Sequence, residues 1–181
     1  MKRKVKELMK AVSNFAVVDE SSTLFEAILA MGALSSQDTS CGLKCPAALV
    51  SNGNSEITGF LDFRNMLKGL EPKYAEIADS VEEGSISPDW IKTVLKKHGL
   101  WANLLDEICK AAGEIVIRDL KITPGEGQMI GAEASLNEAL FQMMVTGKDY
   151  LFVKDGKKLA GIINLSDIAR HMCDTVKACR I

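Results

Sequence analysis

The chain has 181 residues, 47% of them apolar and 25% charged, with 14 Gly and 4 Pro. These are the proportions of an ordinary globular protein of one domain or two of about 70 to 90 residues, and they exclude disorder, collagen and low-complexity scaffolds. Lys and Arg number 22 against 24 Asp and Glu, a net charge of -2, so no phosphate-tracking nucleic-acid surface is expected. No apolar stretch approaches the roughly 18 residues that span a bilayer, and the start MKRKVKELMK has basic residues with no apolar region behind them. The expectation is a cytoplasmic protein without a membrane partner. Its five cysteines, at 41, 45, 109, 173 and 179, are an odd number that suits free thiols in a reducing compartment. Cys41 and Cys45 lack a nearby histidine, since His98 and His171 are the only two, so no metal site is expected.

Read along the chain, the sequence repeats itself. Val5-Lys6-Glu7-Leu8 returns as Ile117-Arg118-Asp119-Leu120, and Thr23-Leu24-Phe25-Glu26-Ala27-Ile28 returns as Ser135-Leu136-Asn137-Glu138-Ala139-Leu140, both at an offset of 112 positions. Each second segment opens with a hydroxyl residue and has Glu three places on, the pattern in which side chains satisfy the free amides of a helix start reciprocally. Both repeats therefore begin a helix here. Leu24, Ile28 and Met31, like Leu136, Leu140 and Met143 or Met144, follow helical spacing and predict one buried stripe, with the methionines as core filler.

Next come Ala47-Ala48-Leu49-Val50 before Asn52-Gly53, and Tyr150-Leu151-Phe152-Val153 before Asp155-Gly156, two runs that predict hairpins with tight turns. The return strands end in Gly59-Phe60-Leu61 and Gly161-Ile162-Ile163, and helices are expected from about 63 to 70 and 165 to 178. The unit is strand, helix, strand, strand, helix, written twice. The first copy carries extra polar residues within SSQDTSCGLKCP, read as a surface loop. Between the copies, Ser87-Pro88 is a cap and first-turn pair, and Ile91, Val94, Leu95, then Leu100, Trp101, Leu104, Leu105 and Ile108 continue helical spacing around Gly99. Two or three short helices follow, with Trp90 and Trp101 expected to pack against the repeats.

The segments VKELM and IRDLK, TLFEAILAM and SLNEALFQMM, and GFLDFRNML and GIINLSDIA resemble those of a tandem cystathionine-beta-synthase (CBS) domain pair, or Bateman module. The resemblance implies an α+β fold of two β-α-β-β-α repeats packed as a pseudo-twofold pair, with a first CBS domain over 1–70, a helical insert over 71–113 and a second CBS domain over 114–181. It also implies two clefts of the kind that in many members bind AMP, ADP, ATP or S-adenosylmethionine, a sensing rather than catalytic role, and a homodimer.

In that family the strand-to-helix junction reads Gly, two apolar residues, Ser or Thr, two variable residues and Asp; here the second copy reads Gly161-Ile162-Ile163-Asn164-Leu165-Ser166-Asp167. Gly161 lets a ligand or strand approach the backbone, Asn164 stands where the hydroxyl residue belongs, and Asp167 can accept hydrogen bonds from a ribose diol. The same residues also serve as an ordinary capping pair beside a packed strand. Thr123, in Ile122-Thr123-Pro124, is a candidate for the adenine or ribose, and Tyr150 or Phe152 for stacking on the base. In the first copy, Asp62 replaces the hydroxyl residue and Asn65 the carboxylate, so that cleft is expected to bind poorly or stay empty. Arg64, Lys121, Lys148, Arg170 and His171 read as solvated charges.

No Gly-rich phosphate loop ending in Gly-Lys-Ser/Thr, zinc-protease motif or serine elbow is present, and Gly125-Glu126-Gly127 lacks a third glycine, so the chain reads as no enzyme and no cofactor is expected. The expected function is a regulatory module that binds an adenosine-containing ligand in the second-repeat cleft and signals by conformational change to a regulated protein. The alternative is a non-enzymatic interaction module with empty clefts, whose helical insert mediates partner binding or dimerisation.

Overall fold

The computed structural model describes residues 3–35, 47–79, 81, 86–100 and 104–178. The chain forms two compact units, one of Ala16–Ile122 and one of Met1–Phe15 with Thr123–Ile181. Each contains one repeat together with the short segment that leads into the other repeat in sequence.

In the unit of Ala16–Ile122, the first repeat supplies the three-stranded sheet β2-β3-β4. β2 (Ala16–Asp19) runs parallel to β3 (Ala47–Ser51), which pairs antiparallel with β4 (Ile57–Asp62). Helix α1 (Leu24–Ser35) crosses between β2 and β3, and α2 (Phe63–Leu70) follows β4 without a linker. The insert contributes α3 (Lys73–Asp79), α4 (Pro88–His98) and α5 (Leu104–Glu114), and α6 (Ile117–Leu120) is the leading turn of the second repeat. Ile117 lies fully buried in the core of Val18, Leu24, Ala27, Met31, Val50 and Leu61.

The other unit mirrors that order. β5 (Met129–Gly131), α7 (Leu136–Thr146), β6 (Tyr150–Asp155), β7 (Lys158–Asn164) and α8 (Leu165–Ala178) make the second repeat. β5 is parallel to β6, β6 antiparallel to β7, and β1 (Lys10–Ala11) closes the edge antiparallel to β7, giving the order β1-β7-β6-β5. Val5, in the 3-10 turn Val5–Glu7, lies fully buried among Leu136, Ala139, Met143, Leu151, Val153, Ile163 and Ile168. Burying one such leucine contributes about 1.5 to 3 kcal/mol.

Both helix starts are capped as their sequences require. Ser135 and Glu138 exchange side chain-to-amide hydrogen bonds at 3.2 and 2.6 Å, and Thr23 and Glu26 do so at 3.3 and 2.8 Å. The buried stripe, however, runs through Leu24, Ala27 and Met31 and through Leu136, Ala139 and Met143, while Ile28 is exposed and Leu140 only half-buried. An alanine one turn in leaves space for the helix to approach its sheet, so the stripe follows spacings of three and four and the larger side chain is turned outward. Met144 is exposed, which leaves Met143 as the core methionine.

The hairpins differ from each other. Asp155 pairs with Lys158 across a two-residue turn with Gly156 at φ 60, as the Asp-Gly pair predicts. After Asn52-Gly53 the loop is longer: the Asn52 carboxamide oxygen accepts the amides of Asn54 and Glu56, and the positive φ falls on Ser55, at 61, rather than on glycine. The side chain of Asn52 closes the longer loop, and both hairpins share a register shift just before the turn, between Val50 and Ser51 and between Val153 and Lys154.

In the insert, Ser87 caps α4 by accepting the amide of Trp90 at 3.1 Å, and Gly99 ends the helix at φ 58. No residue of α4 is fully buried; Ile91 and Leu95 are exposed, and Trp90, half-buried, lines a groove with Glu76 and Ile77 of α3. Trp101 and the segment 36–46, with Cys41 and Cys45, lie outside the described residues.

Candidate ligand site in the second repeat

The junction singled out in the sequence is built from β7 and the first turn of α8. β7 carries Gly161, Ile162 and Ile163 as three consecutive buried residues, so this strand is closed to solvent on both faces at its end. A Cβ at position 161 would overlap the carbonyl oxygen of Lys10, because β1 lies directly against the strand there. The close approach that Gly161 permits is thus taken by the chain's own leading segment.

At the end of β7, Asn164 turns its side-chain amide toward Asp167 and donates to Oδ2 at 3.2 Å. The same oxygen stands 3.5 Å from the Lys10 ammonium. The Asp167 side chain keeps 12% of its accessible surface, and that of Lys10 keeps 38%. This carboxylate is therefore aimed into the fold, held between an amide and a cation. The backbone amide of Leu165, first in α8, donates to the carbonyl of Asp149 at 2.8 Å, so that donor is already satisfied.

Cross-strand register fixes which side chains share a face. Tyr150 is opposite Asn164, Phe152 opposite Ile162, and Lys10 opposite Ile162 on the other side, so these five belong to one sheet face. Leu151, Val153 and Ile163 belong to the opposite face and form the core beneath α7 and α8. Tyr150 and Phe152 meet edge to face, with ring centres 5.6 Å apart at 85°, leaving the half-buried Tyr150 beside the Asn164 end of the junction.

The candidates thus divide. Asn164, Asp167 and Tyr150 lie at one strand end, while Gly161 sits three residues up β7, at a position of the opposite sheet face. Ile162 and Ile163 are buried at 1% and 0%, and the Ile163 side chain packs in the core. Thr123 is exposed in the extended stretch after Ile122, and no strand pairing among the described residues ties it to β7. Lys10 is the residue that the sequence reading missed. Its signal was in the repeat itself, since at an offset of 112 it falls on Ile122, and a charge replaces an apolar residue in an otherwise parallel pattern.

The corresponding junction of the first repeat is occupied differently. Asp62 caps α2 by accepting the Asn65 amide at 2.8 Å, and the Asn65 side chain donates to the carbonyl of Leu120 at 3.1 Å. Gly59 is covered by the Lys121 side chain and the Ile122 carbonyl. Lys121, expected to be a solvated charge, is instead a part-buried one: its ammonium donates to Glu20 at 2.6 Å and to Thr58 at 3.0 Å. Its hydrogen bond, followed by its charge and that of Arg118, holds the Glu20 carboxyl below its ordinary range. In the other unit, Lys6 does the same to Glu133 by hydrogen bond and charge, and is itself raised.

Among the described residues no cluster of three or more His, Cys, Asp or Glu side chains is placed to hold a metal ion, and no helix is long and apolar enough to cross a membrane. Cys109 and Cys173 are free and exposed.

The CBS domain family model matches residues 112–174. No curated protein sequence matches the chain. Among solved structures, the fold is similar to that of an uncharacterized conserved protein from Pyrococcus horikoshii, at 15% identity and a TM-score of 0.58 over 100% of this chain and 96% of that one. It is similar to a conserved CBS-domain protein of unknown function from Thermoplasma acidophilum, at 17% identity and a TM-score of 0.59 over 94% and 70%. It is also similar to CBSX2, solved in complex with AMP, at 16% identity and a TM-score of 0.56 over 96% and 98%. The segment 112–174 thus matches the CBS domain, and with the same order of elements in the first repeat the chain has the fold of the CBS-pair proteins it resembles.

Proposed function

We propose that the chain is a regulatory module, not an enzyme, which binds an adenosine-containing ligand at the second-repeat junction and signals through a change in conformation. The observation that carries this reading is the sparsely exposed Asp167 carboxylate, set beside Asn164 in the first turn of a 14-residue helix and next to the rim formed by Tyr150. Such a carboxylate can exchange its internal partners for the two hydroxyls of a ribose, while the aromatic edge offers a surface to a base. The similar fold of CBSX2 in complex with AMP supports the ligand class.

Calorimetric titration with AMP, ADP, ATP and S-adenosylmethionine tests it. At least one should bind, and Asp167→Ala should weaken that binding by about 1.5 to 3 kcal/mol, the worth of hydrogen bonds to a charged group. Absence of heat from all four ends this reading for these ligands.

The assembly belonging to this reading is a homodimer. Its support is the outward apolar face of α7, where Phe141, Met144 and Val145 are each about 70% exposed, continued on α8 by Met172 and Val176. Light scattering should give a mass of twice 19.7 kDa. A monomer across the working concentration range rules it out.

The second reading, an interaction module with empty clefts, is favoured by the groove of about 440 Å³ along α3 and α4, lined by Ile77, Trp90 and Val94 with Glu76, Lys97 and His98. A melting temperature unmoved by every nucleotide would select it over the first.

A further inference from the structure

Lys10 has two relations to the candidate site. Its backbone is pressed against β7, where any side chain at 161 would displace it, so its position along the strand is fixed. Its side chain, by contrast, is over one-third exposed and ends in an ammonium 3.5 Å from Asp167. A fixed root with a movable charged tip is a tether.

We propose that Lys10 is the charge selector of this site, counterion to Asp167 when the site is empty and partner to the ligand's anionic group when it is full. The proposal rests on the reading of Asp167 as the group that takes a ribose diol. Oδ2 already accepts from Asn164 and faces the Lys10 ammonium, so a diol arriving on this carboxylate competes with both, and the longer, more exposed Lys10 contact is the one that can swing away; a partly buried ammonium so released must find another anion or return to water. A 5′-phosphate supplies that anion within reach of the lysine stem. A neutral nucleoside leaves the displaced charge unpaired, and a sulfonium compound adds a like charge beside it. The ligand class is therefore the phosphorylated nucleosides, favoured over free nucleosides and over S-adenosylmethionine.

The first repeat shows what an unavailable cation looks like. Lys121 lies over the glycine of its strand, Gly59, with its side chain rather than its backbone, and its ammonium is held by Glu20 at 2.6 Å and Thr58 at 3.0 Å, the side chain keeping only 16% exposure. Among the described residues Lys10 has one charged partner, at longer range and with more than twice the exposure.

The test titrates AMP and adenosine into the full chain and into Lys10→Met and Lys10→Arg variants at one ionic strength. The unaltered chain should prefer AMP by about tenfold or more, Lys10→Met should bring the two affinities together, mainly by weakening AMP, and Lys10→Arg should restore the preference. The selector role is overturned if both ligands bind and Lys10→Met keeps the original ratio, even with both affinities lowered. No heat from either ligand with any of the three proteins overturns it together with the reading beneath it, and so separates the two failures. A Lys10→Met chain that fails to fold leaves the decision with the arginine variant, whose preference must survive, and with the unaltered chain, whose preference for AMP must be present.

Discussion

Gly161 shows why a single missing side chain can matter more than the hydrogen bonds around it. The antiparallel pairing of Ala11 with Gly161 brings the Lys10 carbonyl into the space where a Cβ would stand, and backbone cannot rotate away as a long side chain would. Gly161→Ala should therefore push β1 off β7 and cost about 3 kcal/mol, read as a lowered urea midpoint at an unchanged slope. Gly131→Ala, on β5 where nothing lies within 4 Å, is the control and should shift stability by no more than about 0.5 kcal/mol. Equal losses at the two positions would show that the close approach at Gly161 has no energetic weight. Because β1 carries Lys10, the first variant should also loosen the ion pair with Asp167. Residues ten and 161 are distant in sequence, and nothing in either segment alone names the other as its neighbour.

At the scale of elements, what was legible in the sequence was local. The hydroxyl and glutamate pairs beginning α1 and α7, the Ser-Pro start of α4 and the bounds of α2 and α8 are all written within a few residues, because capping and helical periodicity are short-range effects. The repeat offset of 112 survives into the core, where Leu24, Ala27 and Met31 take the places of Leu136, Ala139 and Met143. Periodicity could not decide whether Ala27 or Ile28 faces inward, since both suit a helix and the choice belongs to the sheet against which it packs. The Asn-Gly pair misled for a related reason: an Asx side chain can close a loop by itself, and Asn52 uses that capacity to make a longer connection than the dipeptide suggests. Of the candidate site, the sequence held the β7-to-α8 junction because its members are contiguous. It did not hold Lys10, which reaches the junction only through the pairing of β1 with β7.

The same long-range logic governs the molecule as a whole. Each compact unit depends on a segment from the far side of the chain: Val5 completes the core of the second repeat and Ile117 that of the first. Each such segment is fastened by ions, Lys6 to Glu133 in one unit and Lys121 with Arg118 to Glu20 in the other. Stability should follow the protonation of these fastenings. The carboxyls of Glu20 and Glu133 are held low by their lysines, Glu138 by the amide and hydroxyl of Ser135, and Asp19 by the hydroxyl and amide of Ser21. For a carboxyl lowered on folding, the unfolded chain binds more protons. Its contribution is complete above the ordinary carboxylate range near pH 4 to 5, and is lost as pH falls through the folded value. Lys6 is raised, so its contribution is complete below the ordinary lysine value near pH 10.4 and is lost as pH rises beyond it. The urea midpoint should accordingly hold a plateau between about pH 5 and pH 10 and fall on both sides, more steeply in acid, where among the described residues four carboxyls act against one lysine. A chain with Glu20→Gln and Glu133→Gln together should start from a lower plateau and show a shallower acid limb, and 1 M salt should flatten the limb of the unaltered chain through screening of these largely exposed charges. A midpoint that rose as the pH dropped below 5, or an acid limb indifferent to both substitutions, would mean that these ion pairs add nothing to the hold given by buried Val5 and Ile117 and by the backbone hydrogen bonds of their segments.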